Sequence, residues 1–299
     1  MTVVWPEDAG HHERMPQSEM PTMRSRRLGA ELRRLRSDAG LKVQDAADAL
    51  ECGQPKISQI ETGKRGIRQL DLTTLLNLYG VKDEQQRSNL KRLARDIHKV
   101  DWWSGQGPLL SGDLRDYLTL EADSSLIRSY EPMVLPGLLQ TEAYMRQIFT
   151  AGAEADRVET LVQTRMRRKD LLHGTSEFRL RVIIDAPALH RISGPAELIR
   201  QQFQHLIEVG NQANVTVQIL PLNITLPPAQ YAPYTVFTLH GEPPIEVTWL
   251  EHMTGGTLLE QRPDVQVYTK AWDDLTAAAL SPTESRQYIL DHMKGESGS

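Results

Sequence analysis

Residues 43–68 read VQDAADALECGQPKISQIETGKRGIR, and this stretch decides the fold. Apolar residues recur at helical spacing on both sides of an abrupt break at Glu51-Cys52-Gly53. Ahead of the break, Val43 to Leu50 reads as a short helix turning Ala46, Ala47 and Leu50 inward. Behind it, Gln54 to Thr62 reads as a helix whose apolar residues are only Ile57 and Ile60, so most of its surface is polar. Pro55 is tolerated near its start because the first helical turn has no intrahelical use for that N–H. Gly63 closes it where a left-handed residue is wanted.

Outward from this pair, Ser25 to Asp38 repeats Leu28, Leu32 and Leu35 on one helical face and stops at Gly40, while Leu70 to Leu78 and Asp83 to Ile97 continue the same periodicity. Five short helices in succession predict an all-α unit over residues 24–99, preceded by a flexible arm at 1–23. Trp102, Trp103, Gly105, Gly107 and Pro108 suit neither helix nor strand, which places a linker at 100–112.

Residues 113–299 have a different texture. Helices are expected over Leu114–Leu126, Gln140–Phe149, Asp156–His173, Ala196–Gly210, Val265–Leu280 and Pro282–Met293. Strands are expected over Phe178–Asp185, Val215–Leu220, Tyr234–Leu239 and Ile245–Leu250, the last two as an antiparallel pair joined through Gly241. The fold class that follows is multidomain: an all-α N-terminal domain and an α/β C-terminal domain with a mixed sheet.

Charge divides the chain in the same place. Residues 24–99 carry a net +7 and the rest −12, within an overall −5. A basic segment joined to an acidic one is expected when one part meets a phosphate backbone and the other does not. Glu7, Asp8, Glu13 and Glu19 make the first residues unlike a secretory signal, no run of about 20 apolar residues could span a bilayer, and Cys52, the single cysteine, cannot form an internal disulfide. A cytoplasmic setting, with no membrane association, is therefore expected.

The residues 43–68 and their flanks, from Leu28 to Val81, resemble the phage-repressor (Xre) family of helix-turn-helix domains. The resemblance rests on Leu41, Ala47, Ile57 and Ile60, and on Ile60-Glu61-Thr62-Gly63-Lys64. It implies double-stranded DNA as partner, with Gln54 to Thr62 in the major groove. Gln54, Lys56 and Gln59 would read base edges, Ser58 would assist, and Lys64, Arg65 and Arg68 would grip phosphates. It also implies a structural ion pair between Arg36 and Glu61. Glu51 stands where this family often has glycine, so it must take a positive φ unless Gly53 absorbs part of the bend.

From Asp101 onward the chain resembles the C-terminal domain of actinobacterial, antitoxin-like regulators. Leu120-Glu121-Ala122, Ile127 to Pro132, Val134 to Thr141, Asn214 to Pro221 and Ala277 to Thr283 carry that likeness. Leu226-Pro227-Pro228-Ala229 replaces a loop that commonly contains glycine. The resemblance implies a transcription regulator, and regulators that read DNA through one such helix usually act as homodimers. Its C-terminal domain would bind a small partner protein or a small-molecule effector. An antitoxin-like interaction protein and, more remotely, a ligand-processing enzyme fused to a DNA-binding domain remain the alternatives.

No phosphate loop, nucleophile elbow or dinucleotide fingerprint is present. His173, His190, His205, His240, His252 and His292 lack ligand spacing. Asp185 with His190 reads as an acid/base pair or as ordinary loop polarity at a strand end, and Arg165, Arg167, Arg168 and Lys169 read as a solvated helix face in preference to an anion- or partner-binding patch. No catalytic residue, metal or cofactor is expected.

Overall fold

The computed structural model describes residues 22–99, 101–105, 110–152, 155–173, 177–225, 232–240 and 244–296. Most of the expected arm, Gly107 and Pro108 of the linker, Gly241 and the Leu226–Ala229 loop lie outside them. Two compact units divide the described chain, one ending at Leu120 and the other built from Glu121 to His240 and from Glu246 on.

Thr22 caps the first helix by accepting the Ser25 N–H at 3.1 Å, and Met23 opens it. The first unit then runs α1 (Met23–Asp38), α2 (Val43–Ala49), α3 (Gln54–Glu61), α4 (Gln69–Leu78) and α5 (Glu84–Asp96). Leu28, Leu32, Ala46, Ala47, Ile57, Ile60, Leu72, Leu75 and Leu76 form its core. Burying a side chain of this size contributes about 1.5–3 kcal/mol, so helices too short to persist alone are held by their shared apolar faces. Gly40, Gly63 and Gly80 take φ near +70° at turns after α1, α3 and α4, the conformation that stops a helix with least strain. Arg24 lies against Asp101, with Nη1 2.6 Å and Nη2 3.0 Å from the carboxylate, and Arg26 pairs with Asp116.

Helix α6 (Gly112–Ala122) leads into the second unit, which contains β1 (Ser124–Glu131), α7 (Glu142–Thr150), α8 (Ala155–Arg168), α9 (Asp170–His173), β2 (Arg179–Asp185), α10 (Ala186–His190), α11 (Ala196–Gly210) and β3 (Val215–Leu220). It continues with β4 (Tyr234–Leu239), β5 (Ile245–His252), β6 (Gly255–Leu259), α12 (Arg262–Ala278) and α13 (Pro282–Glu296). The sheet is mixed, in the order β3-β2-β1-β4-β5-β6, with β1, β2 and β3 parallel and β4 antiparallel to β1. On one face Tyr130, Ile183, Leu220, Tyr234 and Val236 are covered by Trp272 and Leu275 of α12. At the β3 edge the connection into α13 supplies partners to the strand: Leu280 donates its N–H to the Ile219 carbonyl at 2.9 Å, and Ser285 Oγ accepts the Ile219 N–H at 2.8 Å.

Several elements differ from the sequence expectation, the unexpected short helix α10 among them. The helix expected to reach Leu126 ends at Ala122, and β1 follows at once in the middle of the sheet. Its Arg128, Ser129 and Glu131 hide the apolar pattern of a central strand, and pairing on both edges overrides local propensity. The helix expected over Asp156–His173 gives way at Lys169, whose N–H turns to Met166 O at 3.1 Å before α9 restarts. Strand β6 begins on Gly255-Gly256, a pair that reads as a breaker in isolation.

Candidate nucleic-acid interface

Two contacts fix α3 against the rest of its unit. At Gly29, in the middle of α1, an added Cβ would stand 2.4 Å from Ile60 O and 2.6 Å from Glu61 O. Only a hydrogen fits there, so the two helices meet backbone to backbone. Farther along, the Arg36 guanidinium grips both oxygens of Glu61, with Nε–Oε1 2.6 Å and Nη2–Oε2 2.9 Å, and its Nη1 donates to Leu41 O at 2.7 Å. Both partners of that pair are buried. Glu61 is thus fully engaged inside the unit and unavailable to an external ligand.

The turn before α3 is tight because Glu51 itself takes the left-handed conformation, φ +47°, the one non-glycine residue among those described to do so. Gly53 does not share the bend. It is extended at φ −79°, ψ 150°, as the residue preceding the helix. A left-handed residue with a Cβ costs about 1–2 kcal/mol relative to glycine, and the packed helices on either side hold it.

With Ile57, Ile60 and Glu61 turned inward, Gln54, Pro55, Ser58, Gln59 and Thr62 make one exposed face of α3. Gln54 is tied to α2: its Nε2 donates to Gln44 Oε1, and Gln44 Nε2 in turn donates to Asp48 Oδ1 at 2.6 Å. The chain Asp48–Gln44–Gln54 therefore aims the first amide of the face. Ser58 and Gln59 project from the same face into solvent. Lys56 does not belong to it. The Lys56 ammonium sits 2.8 Å from Asp71 of α4, partly shielded. Lys64, Arg65 and Arg68 are exposed on the segment between α3 and α4. Amides on a rigid helix face with a basic loop beside them can donate and accept at base edges while cations hold phosphates.

Sequence reasoning missed three of these features: the Asp71 partner of Lys56, the tie from Gln44 to Gln54, and Gly29. For Gly29 a signal existed, since a glycine inside a helical pattern often marks a close backbone approach.

In the second unit the basic run on α8 is built into the fold and is not the solvated face expected of it. Arg168 forms a buried two-pronged pair with Glu121, both bonds at 2.8 Å. Arg165 donates to Gln140 Oε1 at 2.7 Å and lies 4.5 Å over the Phe149 ring, and Lys169 donates to Gln140 O at 2.9 Å. These groups clamp the segment Val134 to Thr141, which Gln202 also holds by bonding Leu139 O and Thr141 N. Arg167 alone of the four is exposed. Lys169 also meets His205 Nε2 at 2.9 Å. Burial, reinforced by the neighbouring ammonium, pushes the His205 pKa down to about 4, and burial lowers that of Lys169.

Asp185 accepts from the Tyr130 hydroxyl at 3.1 Å, while His190 stacks edge-on against His292 at 4.4 Å; the two do not form an acid/base couple. Among the described residues no group of three or more His, Cys, Asp or Glu side chains is placed to hold a metal ion, and no helix is long and apolar enough to cross a membrane. A cleft of about 210 Å³ between α11, β3 and α13 is lined by Leu206, Val217, Arg286 and Ile289. That is below the ~300–1,000 Å³ usual for small-molecule sites.

A helix-turn-helix domain model matches residues 27–90, and a model described as a domain of unknown function (DUF5753) matches residues 114–291. No curated protein and no solved structure matches the chain.

Proposed function

We propose that this chain, which belongs to the DUF5753 family and carries a helix-turn-helix domain ahead of it, is a sequence-specific, DNA-binding regulator of transcription. The observation that carries the reading is the exposed amide face of α3: Gln54, Ser58 and Gln59 stand on a helix locked by Gly29 and by Arg36–Glu61, flanked by Lys64, Arg65 and Arg68. A rigid helix of this kind enters the major groove with its N-terminal residues toward base edges. The +7 charge of residues 24–99 supports it, since phosphate contact supplies much of the affinity.

The finer reading is an Xre-type regulator of the antitoxin-like kind, cytoplasmic and without enzymatic activity. It acts as a homodimer, because one helix reads few base pairs. Its second unit serves dimerisation and binding of a small protein partner or a small-molecule effector.

The test is selection of binding sites from random duplex by the full chain, followed by sequencing. A recurrent short motif is expected, and its loss in the Gln54→Ala, Gln59→Ala double variant would assign the motif to α3. Retention of all sequences equally would overturn sequence-specific reading.

A further inference from the structure

Arg24 and Arg26 stand near the start of α1, and the structure treats them differently. Arg24 is built into the first unit: its side chain is 3% exposed and bonds both oxygens of Asp101, itself 10% exposed. Arg26 is on the surface. Its side chain is 42% exposed and pairs with Asp116 of α6, 21% exposed, within the same unit.

Arg26 also stands at the corner where α3 ends. A Cβ on Gly63 would lie 2.7 Å from both Cα and N of Arg26, so the turn that closes α3 rests on the Arg26 backbone. Lys64 and Arg65, the cations assigned to phosphates above, follow that turn directly and are exposed. Phosphates line both sides of the groove that a reading helix enters, and contacts to them position the protein. A cation rooted beside Gly63 is therefore close to the stretch of backbone that Lys64 and Arg65 would meet.

What restrains Arg26 is a carboxylate that needs it. Burial raises the pKa of Asp116, the Arg26 guanidinium lowers it by charge and hydrogen bond, and Asp113 one turn earlier raises it again. The Asp116 charge is thus held chiefly by Arg26. A fully exposed pair would open at little cost. This one is different, because moving the guanidinium onto a phosphate strands a largely desolvated carboxylate, and losing one partner of a shielded pair costs more than the pair itself contributes.

We infer that Arg26 is a further phosphate-binding residue of the candidate nucleic-acid interface, and that Asp116 withholds it from the duplex. The inference rests on the DNA-binding reading above. It adds a control on affinity exerted from α6, outside the matched helix-turn-helix residues 27–90.

The experiment uses the full chain and one duplex, titrated over a range of salt concentrations. Asp116→Asn keeps the size of the side chain and removes its charge. It should tighten binding about three- to tenfold and steepen the salt dependence by about one phosphate contact, with an unchanged circular dichroism spectrum. Asp116→Ser is the second variant, should the asparagine protein fold poorly. Asp113→Asn removes the same charge one turn away without freeing Arg26, and its effect should be smaller. The deciding comparison is made in an Arg26→Gln background, where Asp116→Asn should give no gain beyond that of Asp113→Asn. A gain that persists without Arg26 would assign the effect to net charge and overturn the inference, as would no gain at all in the presence of Arg26. If the unaltered chain binds duplex, only the Arg26 assignment falls; if it binds none at any salt concentration, the DNA-binding reading falls with it.

Discussion

Lys56 and Asp71 face each other between α3 and α4 with Nζ and Oδ2 2.8 Å apart, side chains 27% and 22% exposed. A cation on the candidate recognition helix is thereby restrained by a carboxylate of the next helix. Sequence alone presents Lys56 as a free reader of guanine or phosphate. Within the unit its direction is set by Asp71.

Replacing Asp71 with asparagine should therefore release Lys56 and remove a negative charge from the binding surface. The expected outcome is tighter binding to any duplex and a salt dependence steeper by about one phosphate contact. Titrations against duplex over a range of salt concentrations measure both, and an unchanged slope would mean that Lys56 does not reach DNA even when freed.

Gln54→Ala and Gln59→Ala should each reduce discrimination between selected and scrambled duplex by about 1–3 kcal/mol, the range for a bidentate base contact. Gln44→Ala should act in the same direction as Gln54→Ala, because Gln44 holds the Gln54 amide. Equal losses on both duplexes would show these residues gripping backbone instead of reading bases.

The loop behaves oppositely. Alanine at both Lys64 and Arg65 should weaken binding about uniformly across sequences and flatten the salt slope by roughly two contacts. A sequence-dependent loss would relocate base reading to the loop.

Glu61→Ala leaves Arg36 buried and charged with only the Leu41 carbonyl for a partner, a loss of about 3–5 kcal/mol by comparison with other broken buried pairs. The double variant Arg36→Met, Glu61→Leu should lose much less, since no charge is stranded. Urea unfolding checks both, and similar losses in the two proteins would contradict the assignment of the cost to the stranded guanidinium.

His205 sets a pH dependence in the second unit. Its folded pKa is about 4, below the ordinary 6.5, because the folded state disfavours the charged ring. As pH falls below 6.5 the unfolded chain takes up a proton that the folded chain refuses. The neutral form's contribution is thus intact above about 6.5 and lost progressively down to about 4. Carboxylates titrate in the same window, so the readout is the difference between proteins: His205→Gln should show a shallower fall in thermal stability from pH 6.5 to 4. Parallel curves would exclude His205 as the source.

The N-terminal unit was legible because its helices are local and amphipathic. Leu28, Leu32 and Leu35, then Ala46 and Ala47, then Ile57 and Ile60, announce their inward faces at 3.6-residue spacing, and all are buried. The second unit was readable where strands are mostly β-branched, as in Val215–Leu220, and unreadable where polar and charged side chains dominate. Strand β1 is the case in point: Arg128 finds Glu246 and Tyr130 finds Asp185, partners more than 50 residues away that no local pattern can supply. The basic run on α8 failed for the same reason, since the partner of Arg168 lies 47 positions earlier.

The contact at Gly29 has a consequence for how such a protein could change its target over generations. Because α1 meets α3 through main-chain atoms at Gly29 and through the buried Arg36–Glu61 pair, the support of the reading helix does not depend on which side chains occupy its outer face. Gln54, Ser58, Gln59 and Thr62 can be exchanged without repacking Ile57 or Ile60. Affinity for a new operator could thus be explored by single surface substitutions, while a lineage that lost Gly29 would lose the scaffold for all operators at once.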